Sequence, residues 1–318
     1  MSNLISNIQN EIRRRNYSYK TETSYLNWIK RFIKFNKNRH PSQIEETQVV
    51  EFLNELVNVH NVSASTQNQA LCAISFLYKK VLREPLGILE DLTYSKKQKS
   101  LPVVLTQQEV KSLITHLQGI SALIVRLMYG TGMRISEVLR LRVLDVDFGN
   151  AYIQVRKGKG GKDRTALLPN SLIEELQVQI KKVERLHVLD LDRGLGSTIL
   201  PKALAVKYPN ASTELKWQYV FPSKKLAQDP RSRKIHRYHQ SPQAINRKIA
   251  FAVKKARIQK KVTAHTLRHS FATQMLKGGY DIRTVQELLG HKDLQTTMIY
   301  THVINKGGNY IKSPVDHL

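Results

Sequence analysis

The stretch from His265 to Val303 constrains this chain more than any other. It reads His265-Thr-Leu-Arg268-His269, then Leu289-Gly290-His291, and closes on Ile299-Tyr300-Thr301. Leu267, Phe271 and Met275 recur every four residues, the spacing of one buried helix face, whereas His265 and Arg268 share a different face. Gly278-Gly279 predicts the end of that helix, and a second is predicted from about Asp281 to a stop at Gly290. His291 then falls just past a helix end, with Tyr300 about two turns further on. Histidine, arginine and tyrosine together are residue types that can grip a phosphate and attack it.

Composition says what such a site would meet. Lys and Arg number 51 against 25 Asp and Glu, a formal net charge of +26 over 318 residues. A surplus of that size implies a polyanionic partner. The length suggests about two domains, each able to bury a core. A single cysteine, Cys72, lies within an apolar run. It argues against a disulfide scaffold and suits a reducing cytoplasm. Met1-Ser2-Asn3-Leu4 opens on no long apolar segment, and no stretch reaches the length of a membrane span. The expectation is a soluble, cytoplasmic protein.

Residues 1–85 read as helices. Leu4, Ile5, Ile8 and Ile12 give one apolar face, and Tyr25, Trp28, Ile29, Phe32 and Ile33 a second, flanked by Lys30, Arg31 and Lys34. Val49, Val50, Phe52, Leu53 and Leu56 give a third, and Leu71, Ile74, Leu77, Tyr78, Val81 and Leu82 a fourth. Periodicity breaks between Pro85 and Pro102, where Ser95-Lys-Lys-Gln-Lys-Ser100 has the composition of a connector. A linker is therefore predicted over 86–102 and a second domain over 103–318. In that domain Thr106 and Glu109 have capping-box spacing.

Tyr129-Gly-Thr-Gly132-Met-Arg134-Ile-Ser-Glu137 predicts a tight turn at Gly132 into a short helix. Arg134 should lie in its first turn, paired with Glu137 at i, i+3. Tyr152–Val155 and Thr165–Leu168 read as strands joined by a Gly-rich basic tip that carries Lys159 and Lys162. The tip is not a nucleotide-binding P-loop, because no Gly-Lys-[Ser/Thr] follows at the required spacing. His265 and His269, at i, i+4, could in principle ligate zinc. Thr266 stands where a zinc-protease motif carries glutamate, however, and no carboxylate cluster is near in sequence. No metal is expected, and His269 reads as a helix-packing or supporting histidine.

The run His265-x-x-Arg268, Leu288-Leu-Gly-His291 and Tyr300 resembles the second catalytic box of the tyrosine recombinases, the phage integrase family. The segment around Arg134 resembles their first box. The resemblance implies a mainly α fold with a small β-sheet (α+β), in which an N-terminal helical core-binding bundle that clamps DNA precedes the catalytic domain. It makes Arg134 the first catalytic arginine, Glu137 a positioning residue, and Lys159 the lysine that protonates the leaving oxygen, with Lys162 as its substitute or a DNA contact. Tyr300 would be the nucleophile, needing a base and an electropositive site. Arg134 and Arg268 can hold non-bridging oxygens bidentately. His265 can manage the tyrosine proton and His291 can donate to a phosphate oxygen. The resulting 3′-phosphotyrosyl link would keep the bond energy, so no cofactor is expected.

A segment at about 190–212 further resembles the extra insert of integron integrases. It contains Leu200-Pro201 and Lys207-Tyr-Pro-Asn-Ala211, with Trp217-Gln-x-Val-Phe-Pro222 behind it. That resemblance implies a homotetramer joining gene cassettes at duplex attI and folded single-stranded attC sites. Bases flipped from a folded strand would be read by stacking. Trp217, Pro230, Tyr238 and His239 are the candidates, although Trp217 and Tyr219 can equally be strand-core aromatics. Tyr238-His239 departs from the paired histidines of many relatives. The tail 305–318 resembles the family's partner-docking segment. The other reading is a phage-type or chromosome-dimer-resolving recombinase acting on duplex DNA alone.

Overall fold

The computed structural model describes residues 2–87, 89, 92–94, 101–156, 163–200 and 202–305. The expected linker lies largely outside the described residues, as do Lys159, Lys162 and nearly all of the tail. The chain forms two compact units, Met1–Ser100 and Leu101–Leu318.

The first unit is helical: α1 (Ser2–Arg14), α2 (Tyr19–Phe35), α3 (Glu46–Asn58) and α4 (Ala64–Phe76). Ser18 and Ser63 cap α2 and α4, their hydroxyls accepting from Thr21 and Thr66 backbone N–H groups. The faces expected from periodicity converge on one core, in which Ile8, Ile12, Phe32, Val49, Leu53, Ile74 and Leu77 are wholly buried. The fourth apolar run is not one uniform helix. After α4 it widens into a π-helical turn over Leu77–Leu82, ending at Arg83 in a left-handed conformation. Within this turn the Tyr78 hydroxyl donates to the Pro41 carbonyl at 2.9 Å. Cys72 is exposed despite its apolar neighbours.

The second unit begins with α5 (Gln107–Thr115), where the expected Thr106–Glu109 capping box forms. It continues with α6 (Ile120–Thr131) and α7 (Ile135–Leu139). A small antiparallel sheet follows, β1 (Val146–Asp147), β2 (Tyr152–Val155) and β3 (Arg164–Leu167), in the order β1-β2-β3. Val155 pairs with Arg164, so the strand expected from Thr165 starts one residue earlier. Next come α8 (Ile173–Asp192), α9 (Lys202–Lys207) and a hairpin of β4 (Ala227–Gln228) and β5 (Ile235–His236). The unit closes with α10 (Pro242–Lys255), α11 (Ala264–Lys277), α12 (Ile282–Leu289) and α13 (Gln295–Asn305). The mainly α fold with a small β component is as expected. Its main core gathers α5–α8, the sheet, α10 and Leu267 of α11. A second cluster of Phe271, Ala272, Val285, Leu289 and Tyr300 joins α11, α12 and α13.

Candidate active site

Two glycines set the geometry. Gly132 ends α6 and Gly290 ends α12, each at φ +64°, where a side chain would be strained. Space forbids one as well. A Cβ on Gly132 would lie 2.4 Å from the Phe271 ring, and one on Gly290 would lie 2.8 Å from Arg164 Cδ. The two helix ends therefore reach Arg268, which is 0% exposed. Its Nη1 donates to the Gly132 carbonyl at 2.7 Å and its Nη2 to the Leu289 carbonyl at 2.6 Å. Carbonyls at helix C-termini carry partial negative charge, which makes them suitable partners for a buried cation. The Arg268 Nε is buried with no hydrogen-bond partner among the described residues. Burial, and then Arg134, push the guanidinium down to about 10, so it stays charged at neutral pH.

Arg134 caps α7 instead of lying within it. Glu137 accepts from Arg134 Nη1 at 2.8 Å and from its backbone N–H at 2.9 Å. The other partner of that carboxylate was missed in sequence. Arg164 Nη2 donates to it at 2.8 Å, and Arg164 Nε donates to the Leu288 carbonyl at 3.2 Å. Burial pushes the Glu137 carboxyl up, but Arg164 and Arg134 outweigh it and hold the group below the ordinary carboxylate range. The one available signal for Arg164 was that an i, i+3 pair with Arg134 left half of a carboxylate unanswered.

Tyr300, 2% exposed, reaches this centre from α13 of the same chain. Its hydroxyl oxygen is 2.9 Å from His269 Nδ1. His265, an exposed residue one turn earlier, sets its ring edge-on to His269 with centroids 4.5 Å apart. The His291 ring lies nearly parallel to the Tyr300 ring at 6.3 Å, and its Nδ1 is 2.9 Å from the buried Thr297 hydroxyl. Burial raises the Tyr300 phenol, while Arg268 and Arg134 pull it down, so both guanidiniums act on it. Burial, then Arg268 and Arg134, drive His291 down to about 3. Burial, then His265 and Arg268, drive His269 down to about 4. Both rings are neutral at pH 7.

The structure thus brings together Arg134, Glu137, His265, Arg268, His269, His291 and Tyr300. It places the base-reading candidates elsewhere in the unit. Tyr219 and Tyr238 set their rings edge-on to His239, at 5.2 and 6.3 Å. The Tyr238 hydroxyl donates to Asp229 at 3.1 Å, and Pro230 is exposed in the β4–β5 turn. Trp217 is half-buried at the end of a 3-10 turn, and neither it nor Tyr219 belongs to one of the strands. An unforeseen residue, Arg142, holds this region. It donates to the Trp217 carbonyl and, at 2.7 Å, to the Ile199 carbonyl, and its guanidinium lies 4.8 Å from the Tyr219 ring centre.

Fold and site first define a class: a helical domain with a small antiparallel sheet, presenting, among the described residues, a tyrosine beside two arginines, an arrangement suited to attack on a phosphate. Comparison with known proteins makes it specific. Residues 103–306 match the phage integrase family and residues 4–88 the phage integrase N-terminal SAM-like domain. An integrase/recombinase of Escherichia coli is 45% identical over 315 residues, spanning 99% of this chain and 94% of that protein. Tyrosine recombinase XerD of Staphylococcus saprophyticus is 32% identical over 286 residues, 86% of this chain and 83% of its own. The fold is also that of a lambda integrase dimer bound to a COC' core site. That likeness has a TM-score of 0.62 at 18% identity and covers 99% of both chains. The chain belongs to the phage integrase family and is a tyrosine-type site-specific DNA recombinase, cleaving and rejoining DNA strands. Among the described residues, no helix is long and apolar enough to cross a membrane.

Proposed function

We propose that Tyr300 attacks the scissile phosphodiester while Arg134 and Arg268 hold its non-bridging oxygens. The observation that carries this is the wholly buried Arg268, with two donors anchored on carbonyls and an unpartnered Nε. A buried guanidinium with spare N–H groups fits an oxyanion that arrives with the substrate. In the tautomer whose Nδ1 accepts from the Thr297 hydroxyl, His291 carries its proton on Nε2 and can donate it to a phosphate oxygen. Lys159 protonates the leaving 5′ oxygen, and the phenol proton leaves toward the His265–His269 pair. The 3′-phosphotyrosyl link stores the bond energy, so the reaction runs without cofactor or metal. Glu137 holds Arg134 in place.

The domain reading fits the same scheme: residues 1–85 clamp DNA, 86–102 connect, 103–318 catalyse, and the tail 305–318 docks on a partner in a homotetramer that works in the cytoplasm on the nucleoid. A substrate nicked near the cleavage site traps the covalent link. Wild type is expected to accumulate a protein–DNA adduct, whereas Tyr300→Phe binds the DNA and forms none. An adduct at full yield with Tyr300→Phe would refute the assignment.

The finer reading is an integron integrase acting on duplex attI and folded single-stranded attC sites. It is supported by the insert between α8 and β4, where α9 leaves Val206 81% exposed and the following Tyr208 47% exposed. Apolar and aromatic side chains left in solvent beside basic residues suit stacking on bases, at about 1–3 kcal/mol per base. Trp217, Pro230, Tyr238 and His239, with Lys162, complete the proposed DNA contacts. The likeness to proteins named XerD and XerA favours the other reading, a recombinase confined to duplex DNA. Deleting residues 197–211 separates the two. Loss of activity on folded strands with duplex cleavage kept supports the integron reading, and equal loss on both substrates counts against it.

A further inference from the structure

The short approach between His269 and Tyr300 carries more than a supporting role for the histidine. His269 Nδ1 is the described hydrogen-bond partner of the phenol, at 2.9 Å, with the two rings 5.5 Å apart and tilted by 56°. His265, the residue expected from sequence to manage the proton, instead meets the edge or face of the His269 ring at an interplanar angle of 80°. Both histidines stand on α11, one turn apart, and Tyr300 comes from α13 against them.

We propose that His269, not His265, accepts the proton of Tyr300, and that His265 is a positioning residue acting through the His269 ring. The inference rests on the reading of Tyr300 as nucleophile. In the step, the Tyr300 O–H bond breaks and its proton passes to His269 Nδ1. The phenolic oxygen pair forms the bond to phosphorus. The bond from phosphorus to the 5′ oxygen breaks with its electron pair on that oxygen, which takes a proton from the lysine ammonium assigned above. In rejoining, the imidazolium returns its proton to the phenolic oxygen.

The surroundings bear on when this transfer can happen. His265 and Arg268 of α11 act on the His269 ring, Arg268 and Arg134 at the start of α7 act on the Tyr300 phenol, and His269 in turn bears on His291 beyond α12. Burial and these neighbours keep His269 neutral, so in the tautomer protonated on Nε2 its Nδ1 offers a lone pair to the hydroxyl proton, with the phenol oxygen 2.9 Å away. A bound phosphodiester adds a negative charge between the arginines and offsets the repulsion that disfavours the imidazolium. The base therefore strengthens when substrate is present.

The test uses full-length protein and a suicide DNA duplex whose scissile phosphate carries sulfur in place of the bridging 5′ oxygen. The thiolate leaves without an acid, so the adduct rate reports on the nucleophile side alone. His269→Gln keeps an oxygen that can accept from the phenol but cannot take up its proton. It is expected to bind DNA as wild type does and to form adduct about 100-fold more slowly, with the acid limb of the pH–rate profile gone. His265→Gln should slow the reaction less and retain that limb. Should His269→Gln lose DNA binding, recovery of the His269→Ala adduct rate on adding imidazole is the deciding measurement. His269→Gln within twofold of wild type and with an unchanged pH profile overturns the proposal, as does loss of the limb in His265→Gln alone. Wild type giving no adduct on this substrate removes the Tyr300 reading and this assignment with it.

Discussion

Replacing Glu137 by glutamine removes the unit negative charge and nothing of the shape, so its cost can be worked from the contacts. The carboxylate accepts from Arg134 Nη1, Arg164 Nη2 and the Arg134 backbone N–H at 2.8, 2.8 and 2.9 Å. The three side chains are only 8%, 20% and 12% exposed for Glu137, Arg134 and Arg164, so water screens the pairs poorly. Glutamine keeps one acceptor and turns an NH2 group toward a guanidinium donor. Breaking a buried pair from one side costs about 3–5 kcal/mol, and the residual exposure puts this case near 3. For a unit of this size, that corresponds to a fall in melting temperature of about 6–12 °C. Thermal unfolding followed by circular dichroism at pH 7 measures it. The acid limb provides a second reading. Glu137 is held below its ordinary 4.5, so its stabilisation is present above that value and is lost as pH falls through the folded value. The gap between wild type and Glu137→Gln should therefore close below about pH 4.5. A melting temperature within about 1 °C of wild type at pH 7 would refute the view that this carboxylate holds the arginines.

Other perturbations test neighbouring parts of the argument. Gly132→Ala places a Cβ at φ +64° and 2.4 Å from Phe271, which should cost at least about 2 kcal/mol in urea unfolding; a wild-type midpoint would contradict the packing described. His269 and His291 are held near 4 and 3 against an ordinary 6.5, so the unfolded chain takes up protons that the fold refuses. Stability should therefore decline as pH falls below 6.5, and a His269→Gln, His291→Gln double variant should show a shallower decline in calorimetry between pH 7 and 5. Arg142→Ala removes the hydrogen bonds that tie Ile199 and Trp217 to the catalytic unit, and should expose residues 196–217 to limited proteolysis. Unchanged protection would mean that Arg142 does not hold the insert. DNA affinity should fall linearly on a log–log plot against salt, given a net charge of +26, and a flat response would mean few phosphate contacts.

Features set by local chemistry were legible in the sequence. The faces of the N-terminal helices, the Thr106–Glu109 cap, the turn at Gly132, the stop at Gly290 and the short hairpin all follow from periodicity, capping and glycine conformation. Interactions closed by long-range contacts were not. Arg164 meets Glu137 across 27 positions, and Arg268 meets Gly132 across 136, with no periodic signal to announce either. The insert was visible only by its resemblance. It is stitched by side-chain donors such as Gln218, 8% exposed and donating to the Gly196, Ser212 and Glu214 carbonyls, instead of by a strand ladder. Such donors leave no alternation to read. His269 shows the limit most sharply. At i, i+4 from His265 it looked like packing, and only the position of α13 puts its Nδ1 against the phenol.

The arrangement also explains why the fold tolerates so much positive charge in one place. Among the described residues, Arg134, Arg164 and Arg268 converge with one carboxylate, Glu137, between them, and Arg268 is left to backbone carbonyls at two helix ends. Carbonyl dipoles stabilise a guanidinium without neutralising it, so the centre keeps a net positive potential that a second carboxylate would reduce. That potential bears on both histidines. Together with burial, the larger cause, it suppresses their protonation in the free protein, and it relaxes when a phosphodiester supplies the missing charge. Affinity for the anion and readiness of the proton acceptor thus share one electrostatic contribution, so a variant that adds an acid beside Arg268 should weaken DNA cleavage even if it stabilises the unliganded fold.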